Sequence, residues 1–359
     1  MNELKCCNIV IGNKFTSHSH IYFTSQGAIG INRMPHARRS RKCKKNAANA
    51  TSSKRTTAKR TTTAKRTTTA KKGVKRGNRF ERLKCGPVQE NYFTCYDNDT
   101  LHQLRDGWNV RHPDARIETN DPREIWTDLK QRLGKSCRNE ACWMKKIIGA
   151  DPAAVSADTF APEAPKSWIG DPDEWLTSEE IENVMKQYED KFPTFEFLGP
   201  SPSDYSAPKL AGVCVWEELC NFSLKKYMDL GTNKIGVIFN TDPHTEDGSH
   251  WVSLFINIST KNNYIFFFDS TGDRPQKEIR EFMKMVTQQG RALGVRFKSY
   301  ENRKQHQKRN TECGMYALFM IVNLIEETRT PEEFMRGERI PDSHMLEFRK
   351  EYFNRGGSV

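Results

Sequence analysis

The chain has 359 residues, which is enough for about two domains and at least one complete hydrophobic core. Its net charge is +12, but residues 1–80 hold 20 Lys and Arg against one acid, Glu3, which leaves −7 on the remaining chain. This distribution excludes a uniformly basic globule and indicates a cationic arm beside a mildly acidic folded part. The longest apolar run, Met315–Ile325, is too short to span a bilayer, so we expect no membrane partner.

The basic arm is most regular between Lys54 and Lys72, where KRTTAKRTTTAKRTTTAKK repeats paired cations about every six residues. No large apolar residue there can offset the entropy of folding, so we predict a disordered arm over residues 1–80. Its cations can bind DNA non-specifically through residues 33–80, although a solubilising or targeting tail is an alternative. Because Met34 directly precedes the basic stretch, translation from Met34 is a second interpretation of the first residues.

Residues 81–150 show the apolar spacing of short helices. The predicted helices are Asp97–Trp108, Pro122–Leu133 and Asn139–Ile148. Asp97 and Asp121 have the position and chemistry of N-caps. We therefore predict a small helical accessory domain, followed at 151–166 by a linker rich in Ala and Pro.

The ten cysteines are irregularly spaced, and the N-terminus lacks the features of a secretory signal. We therefore expect them to remain reduced, in a cytosolic, nuclear or particle-enclosed protein. Four of them lie in the helical segment: Cys85, Cys95, Cys137 and Cys142. Four thiolates could form a structural zinc site, but the spacing is unlike that of zinc motifs. The plainer prediction is buried thiols that pack as small hydrophobic residues.

The second predicted domain, residues 167–359, combines helical patterns with β-branched and aromatic runs bounded by turn residues. Helices are predicted at Ser178–Tyr188, Trp216–Leu230, Gln276–Leu293, Cys313–Glu327 and Ser343–Phe353. Strands are predicted at Lys234–Thr241, His250–Ile258, Asn263–Ser270 and Val295–Tyr300. This order predicts an α+β fold with a central sheet. The helix that begins at Cys313 is apolar nearly all round, so we expect it to be buried.

Cys313 is a candidate nucleophile, because the partial positive charge of a helix N-terminus stabilises a thiolate. His250 opens one predicted strand and Asp269 ends the next, so antiparallel pairing would bring a base and its orienting carboxylate to one sheet edge. Gln307, six residues before Cys313, can donate its amide to an oxyanion beside the Cys313 N–H. Each residue alone has a plainer interpretation as a core thiol, a capping residue or a turn residue. Their combination predicts a cysteine protease.

Three segments in this order, SHWVSLFIN, FFFDSTG and QKRNTECGMYALF, resemble the ubiquitin-like-protein proteases (the Ulp and SUMO-protease family) and adenain, the adenovirus protease. The resemblance covers about residues 170–355. It implies a permuted papain-like α+β fold with a central mixed sheet. It also implies that Cys313 is the nucleophile, with His250 as general base and acid. Asp269 would orient the imidazole and Gln307 would donate to the oxyanion, with no cofactor or metal required.

Two tryptophans match the positions that clamp a Gly-Gly sequence in this family. Trp251 directly follows the candidate histidine, and Trp175 lies in WLTSEEIENVM, which resembles a WLND-like segment. Two indoles can close a slot that excludes side chains. The plainer interpretation is that both pack in the core. Thr177 and Ser178 stand where the cellular enzymes commonly have Asn and Asp, which puts recognition of a folded ubiquitin-like partner in doubt.

The short catalytic domain and the basic arm look most like proteases of large cytoplasmic DNA viruses, typified by that of African swine fever virus. This implies a viral endopeptidase that cleaves structural precursors at Gly-Gly-X sites, in the virion and at assembly sites in the host cytoplasm. DNA would then act as a non-specific tether or activator. The alternatives are a protease that deconjugates ubiquitin-like proteins and a DNA-binding scaffold with an inactive protease fold. The terminal RGGSV, Arg355–Val359, also fits a Gly-Gly-X cut, so self-trimming is a further hypothesis.

Overall fold

The structure is a computed structural model that describes residues 80–149, 159–209, 212–259 and 261–355. Apart from Phe80, the predicted basic arm lies outside these residues. The first half of the predicted linker and the tail after Arg355 also lie outside them. No helix in the described ranges is both long enough and apolar enough to cross a membrane.

Three helices precede the predicted linker: α1 (Asn98–Arg111), α2 (Pro122–Leu133) and α3 (Ala141–Ile147). The Asp97 side chain accepts a hydrogen bond from the Thr100 N–H at 2.6 Å, and Asp121 accepts from two N–H groups in the first turn of α2. Both predicted N-caps are therefore confirmed. Apolar side chains from all three helices share one core around the fully buried Trp143.

The cysteines of this helical part form two disulfides, Cys85–Cys95 and Cys137–Cys142, and a third joins Cys214–Cys220. The Cα atoms of the first two pairs lie 5.0 and 5.5 Å apart, within the range that a disulfide requires. The expectation of reduced cysteines is therefore wrong at these positions, and so are the zinc site and the buried thiols. Each of the four cysteines pairs with the one nearest to it in sequence, so the four do not form one cluster. Among the described residues, no group of three or more potential ligands could hold a metal ion.

The rest of the described chain combines helices with six strands. The helices are α4 (Ser178–Lys191), α5 (Glu217–Cys220), α6 (Leu224–Asp229), α7 (Lys277–Ala292), α8 (Cys313–Ile325), α9 (Pro331–Arg336) and α10 (Asp342–Tyr352). The strands are β1 (Phe195–Phe197), β2 (Ser201–Pro202), β3 (Lys234–Asn240), β4 (Trp251–Asn257), β5 (Tyr264–Phe268) and β6 (Lys298–Glu301). The helix predicted at 216–230 is instead the pair α5 and α6, because Ser223 caps a new helix by accepting from the Lys226 N–H.

These strands form one mixed sheet in the order β1-β3-β4-β5-β6, and β2 pairs with β3 further along the same edge as β1. Strand β4 is antiparallel to β3 and β5, whereas β6 is parallel to β5. Ser253 pairs with Phe268, so the start of β4 lies beside the end of β5. The predicted α+β fold with a central mixed sheet is confirmed.

Both faces of the sheet are covered, which explains why its central strands are continuous apolar runs rather than alternating patterns. Phe255 and Phe266 belong to the core that contains α8, whereas Leu254 and Phe267 belong to the core on the opposite face, with α7. All 13 residues of α8 are buried. This confirms the burial predicted from its apolar surface.

The chain on either side of the sheet domain also contacts the helical part. Phe160 joins the helical core, and its carbonyl accepts a hydrogen bond from the Gln187 side chain at 2.8 Å. Asn354, which follows α10, exchanges hydrogen bonds with the Lys84 backbone at 2.7 and 2.9 Å. The helical part is therefore joined to the sheet domain at two points.

Candidate active site

The ends of two neighbouring strands bring His250 and Asp269 together. His250 directly precedes β4 and Asp269 directly follows β5, so antiparallel pairing places them at the same sheet edge. His250 Nε2 lies 2.9 Å from Asp269 Oδ1. The same carboxylate oxygen accepts from the Thr271 N–H at 2.8 Å and from the Thr271 hydroxyl at 2.7 Å. These contacts hold the carboxylate toward the ring.

The His250 imidazole also lies near Cys313, the first residue of α8, which raises the pKa of His250. Since Nε2 faces Asp269, Nδ1 is the ring nitrogen that remains for the thiol. Burial lowers the pKa of His250, but the hydrogen bonds and negative charges of Asp269 and Cys313 outweigh burial and raise the pKa to about 10. This environment favours the protonated form of the His250 imidazole.

Cys313 is the cysteine that has no disulfide partner within the described ranges. Cys313 is only 2% exposed, and it is the first residue of α8, where the backbone N–H groups of the first turn have no partner within the helix. The next residue, Gly314, lies close to Leu176, because a Cβ added at Gly314 would lie 3.0 Å from the Leu176 Cβ. The start of α8 therefore packs directly against the segment that carries Trp175.

Gln307 is buried, and the turn after β5 orients its side chain. The Ser270 hydroxyl donates to Gln307 Oε1 at 2.6 Å, which keeps the Nε2 amide group available as a donor. The Ser270 carbonyl accepts from the N–H groups of His306 and Gln307 at 2.8 and 2.9 Å. Gly272 has a φ of 82°, and a Cβ there would lie 2.9 Å from the Arg303 carbonyl oxygen. The turn and the loop before α8 are thus packed backbone to backbone.

His306 is a second buried histidine, next to Gln307. Its Nε2–H donates to the Phe334 carbonyl at 2.9 Å, and its Nδ1 accepts from the Ile340 N–H at 3.1 Å. These two partners fix a neutral tautomer. Burial, reinforced by nearby cations, lowers the pKa of His306 to about 4. His306 therefore holds the Gln307 loop in place and does not act as a base.

Trp175 and Trp251 line the same cavity as His250, which has a volume of about 430 Å³. Trp251 is 8% exposed, and its Nε1–H donates to the Leu176 carbonyl at 2.9 Å. Trp175 is 38% exposed, so it is not a core residue. The structure brings both tryptophans to the cavity beside the candidate base.

Thr177 is the N-cap of α4, which begins at Ser178. The Thr177 hydroxyl accepts from the Glu179 N–H at 3.2 Å, while the Glu180 carboxylate accepts from the Thr177 N–H at 2.7 Å. With Glu180 at the third helical position, Thr177 and Glu180 form a capping box. Thr177 therefore stabilises a helix end directly after the Trp175 segment.

Comparison with known proteins shows which family has this arrangement. A SUMO-1 cysteine protease of African swine fever virus, from a South African tick isolate, is 32% identical over 260 residues, which cover 68% of this chain and 93% of the viral protein. The model of the Ulp1 protease family, C-terminal catalytic domain, matches residues 232–355. The chain belongs to the Ulp1 family of cysteine proteases. A thiol protease of Acanthamoeba polyphaga mimivirus is 29% identical over 266 residues, which cover 67% of this chain and 84% of that protein.

A solved structure shares the fold of this Ulp1-family protease. The crystal structure of the African swine fever virus protease matches with a TM-score of 0.54 at 20% identity, over 76% of this chain and 96% of that chain. The predicted family and the predicted cysteine protease activity are confirmed. The individual roles of His250, Asp269, Gln307, Cys313 and the two tryptophans stay predictions.

Sequence reasoning missed three residues that support the site of this Ulp1-family protease: Ser270, Thr271 and His306. Ser270 and Thr271 follow Asp269 in FFFDST, and polar residues directly after a buried strand are a signal for a structured turn. His306 gives no such signal, because both of its partners lie about 30 residues further along the chain.

Proposed function

We propose that this Ulp1-family protease is a viral endopeptidase that cleaves structural precursor proteins at Gly-Gly-X sites during virion maturation. The observation that carries the proposal is the hydrogen bond between Asp269 and His250, with Cys313 near the same imidazole, beside a cavity that Trp175 and Trp251 line. This arrangement supports a thiol nucleophile with its own acid and base. The cavity supports a confined path for the substrate.

In the proposed reaction, the Cys313 thiolate attacks the carbonyl carbon of the second glycine. The Gln307 amide and the Cys313 N–H donate to the oxygen on which negative charge develops. The His250 imidazolium gives its proton to the leaving amine as the thioester forms, and His250 then deprotonates the water that hydrolyses the thioester. Asp269 holds the ring throughout. These steps use no cofactor or metal ion.

A Gly-Gly sequence suits this site because the walls of the cavity include indole rings. Trp251 is held by its hydrogen bond to Leu176, and Leu176 in turn packs on Gly314. A chain that passes close to this fixed wall has little room for a Cβ, whereas glycine has none. The proposal therefore places both glycines between Trp175 and Trp251.

The choice of substrate follows from the relatives and from the start of α4. The relatives are viral proteases, which supports action in the virion and at assembly sites in the host cytoplasm. One relative is named a SUMO-1 cysteine protease, so deconjugation of a ubiquitin-like protein is the second candidate. Thr177 and Ser178 stand where the cellular enzymes commonly have Asn and Asp, and this departure favours precursor processing.

The basic arm would give the protease a way to search for substrates within a particle. Residues 33–80 contain 18 of the 20 cations of the N-terminal segment and no acid, so we expect non-specific, salt-dependent binding to DNA. Removing residues 1–79 should abolish this binding. If DNA affinity and its salt dependence were unchanged, the arm would serve another purpose.

The test of the proposed function compares a fluorogenic Gly-Gly-X peptide with an intact ubiquitin-like-protein reporter, with and without DNA. Wild type should cleave the peptide and not the reporter, DNA should raise the rate, and Cys313→Ala should be inactive. A peptide with Ala-Ala in place of Gly-Gly is the control for specificity. Preference for the reporter would instead identify a deconjugating protease, and cleavage of neither substrate would contradict both proposed substrate classes.

A further inference from the structure

A buried ion pair lies directly behind the candidate nucleophile. Glu312, the residue before Cys313, accepts from Arg349 of α10, with 3.1 Å between Glu312 Oε2 and Arg349 Nε. The two side chains are 0% and 5% exposed. Burial raises the pKa of Glu312, and the Arg349 charge opposes that rise. The pair therefore joins α10 to the start of α8 at a position shielded from solvent.

The same guanidinium also reaches the segment on the substrate side of the site. Arg349 Nη2 donates to the Glu174 carbonyl at 2.6 Å, and the Arg349 Cζ lies 4.5 Å from the centre of the Trp168 ring. Glu174 directly precedes Trp175. One side chain thus joins α10, the residue before the nucleophile and the residue before the exposed tryptophan.

The short segment 174–176 is fixed on both sides of Trp175. Arg349 holds the Glu174 carbonyl, Trp251 holds the Leu176 carbonyl at 2.9 Å, and the Leu176 side chain packs on Gly314. The Trp175 side chain, between these two fixed carbonyls, is 38% exposed.

We propose that Arg349 is a positioning residue that sets the distance between the Trp175 segment and Cys313. The inference rests on the proposed function, in which Trp175 borders the substrate path. A buried ion pair is a poor source of stability, because desolvation of both charges offsets their attraction, and an apolar pair of similar size often stabilises as well. An apolar pair could not, however, donate a hydrogen bond to the Glu174 carbonyl. Arg349 does so while it also donates to Glu312, the residue before Cys313.

The test measures labelling of Cys313 in the full-length protein by two electrophiles. Iodoacetamide is small and does not need the slot, whereas a peptide vinyl sulfone that ends in Gly-Gly must pass between the tryptophans. We expect Arg349→Met to lower the labelling rate constant of the peptide probe by about 10- to 100-fold, mainly through weaker binding, with a much smaller change for iodoacetamide.

Three control variants separate positioning from general stability. Arg309→Met removes an exposed ion pair, Arg309 to Asp173 at 3.5 Å, between the same two segments, and it should leave both labelling rates close to wild type. Val286→Ala destabilises the core on the opposite face of the sheet without touching the site. The double variant Glu312→Gln with Arg349→Met leaves no unpaired buried charge, so its thermal stability should partly recover.

The decisive comparison is between that double variant and the single variant Arg349→Met. If stability recovers while the selective loss with the peptide probe persists, Arg349 acts through the Trp175 segment. Equal losses with both electrophiles, or a loss that disappears with the recovered stability, would overturn the inference. Equal labelling of wild type by Gly-Gly and Ala-Ala probes would overturn only the proposed substrate, because the two electrophiles still report on Arg349.

Discussion

At the residue scale, His250 is governed by opposing effects. Burial lowers the pKa of an imidazole, whereas Asp269 and Cys313 raise it to about 10. This pKa is raised above the ordinary histidine value of about 6.5. The contact between protonated His250 and Asp269 therefore contributes fully to the stability of the folded protein below pH 6.5. The contribution is lost as the pH rises through about 10.

The first prediction concerns the carboxylate that supports this imidazolium. Asp269→Asn removes the negative charge and weakens the acceptor at Nε2, so the pKa of His250 should fall. The alkaline limb of the pH profile should then move to lower pH, and activity should decrease without being lost as fully as in Cys313→Ala. The pH dependence of kcat/KM and of iodoacetamide labelling measures both effects. If the alkaline limb stayed at the same pH, Asp269 would not be responsible for raising the pKa of His250.

The second prediction concerns Ser270, which orients the candidate oxyanion donor. Ser270→Ala frees Gln307 Oε1, so the amide can rotate away from the developing oxyanion. We expect kcat to fall by about 10-fold or more with little change in KM, because the interaction is made in the transition state. Ser253→Ala is the matched control, since Ser253 is equally buried and its hydroxyl has no partner. Equal effects in the two variants would argue against this role for Ser270.

At the scale of elements, local signals and tertiary contacts determine different helix ends. The all-round apolar pattern of α8 predicted its burial, because such a helix has no face suited to water. The break between α5 and α6 was missed, because Ser223 begins a new helix within a continuous helical pattern. The capping box at the start of α4 was also missed, although the spacing of Thr177 and Glu180 is that of a capping box.

The third prediction follows from that capping box. Thr177→Ala should destabilise the protein by about 1 kcal/mol, since the first-turn N–H groups of α4 lose their acceptor. Ser178→Ala, one residue further along, is the control and should change stability little. The free energy of unfolding from urea titration measures the difference. Equal stability of Thr177→Ala and wild type would contradict the prediction, because water would then satisfy the first-turn N–H groups equally well.

At the scale of the whole molecule, the pairing of cysteines distinguishes Cys313 from the others that the structure describes. Six cysteines form three disulfides, and Cys313 remains free beside His250. The irregular spacing of the cysteines suggested reduced thiols, but each pair is separated by only 5 to 10 positions and meets across a local turn.

The fourth prediction is the labelling pattern that this pairing requires. Alkylation of the unfolded, unreduced protein should modify Cys313 and leave the six paired cysteines unmodified, because a disulfide sulfur does not react with an alkylating reagent. Prior reduction should make all seven cysteines of the described ranges reactive. Peptide mapping by mass spectrometry assigns each site. Modification of Cys85 or Cys214 before reduction would contradict the disulfides that contain them.

The sequence by itself determined the family, the α+β fold, most helix and strand positions and the candidate catalytic residues. Those features depend on periodicity along the chain and on short motifs, such as Gln307 six residues before Cys313, and both are visible in the order of residues. The pairing of His250 with Asp269 was predictable for a related reason, since adjacent antiparallel strands place known ends together.

Only the tertiary structure decided which groups support that site. Arg349 contacts Glu174 across 175 positions, and His306 meets Ile340 across 34. Such hydrogen bonds depend on which polar groups are buried together after the helices pack on the sheet, and no local pattern records that outcome. The three disulfides follow from the same cause, because the distance between two cysteines is set by the folded backbone and not by their spacing in sequence.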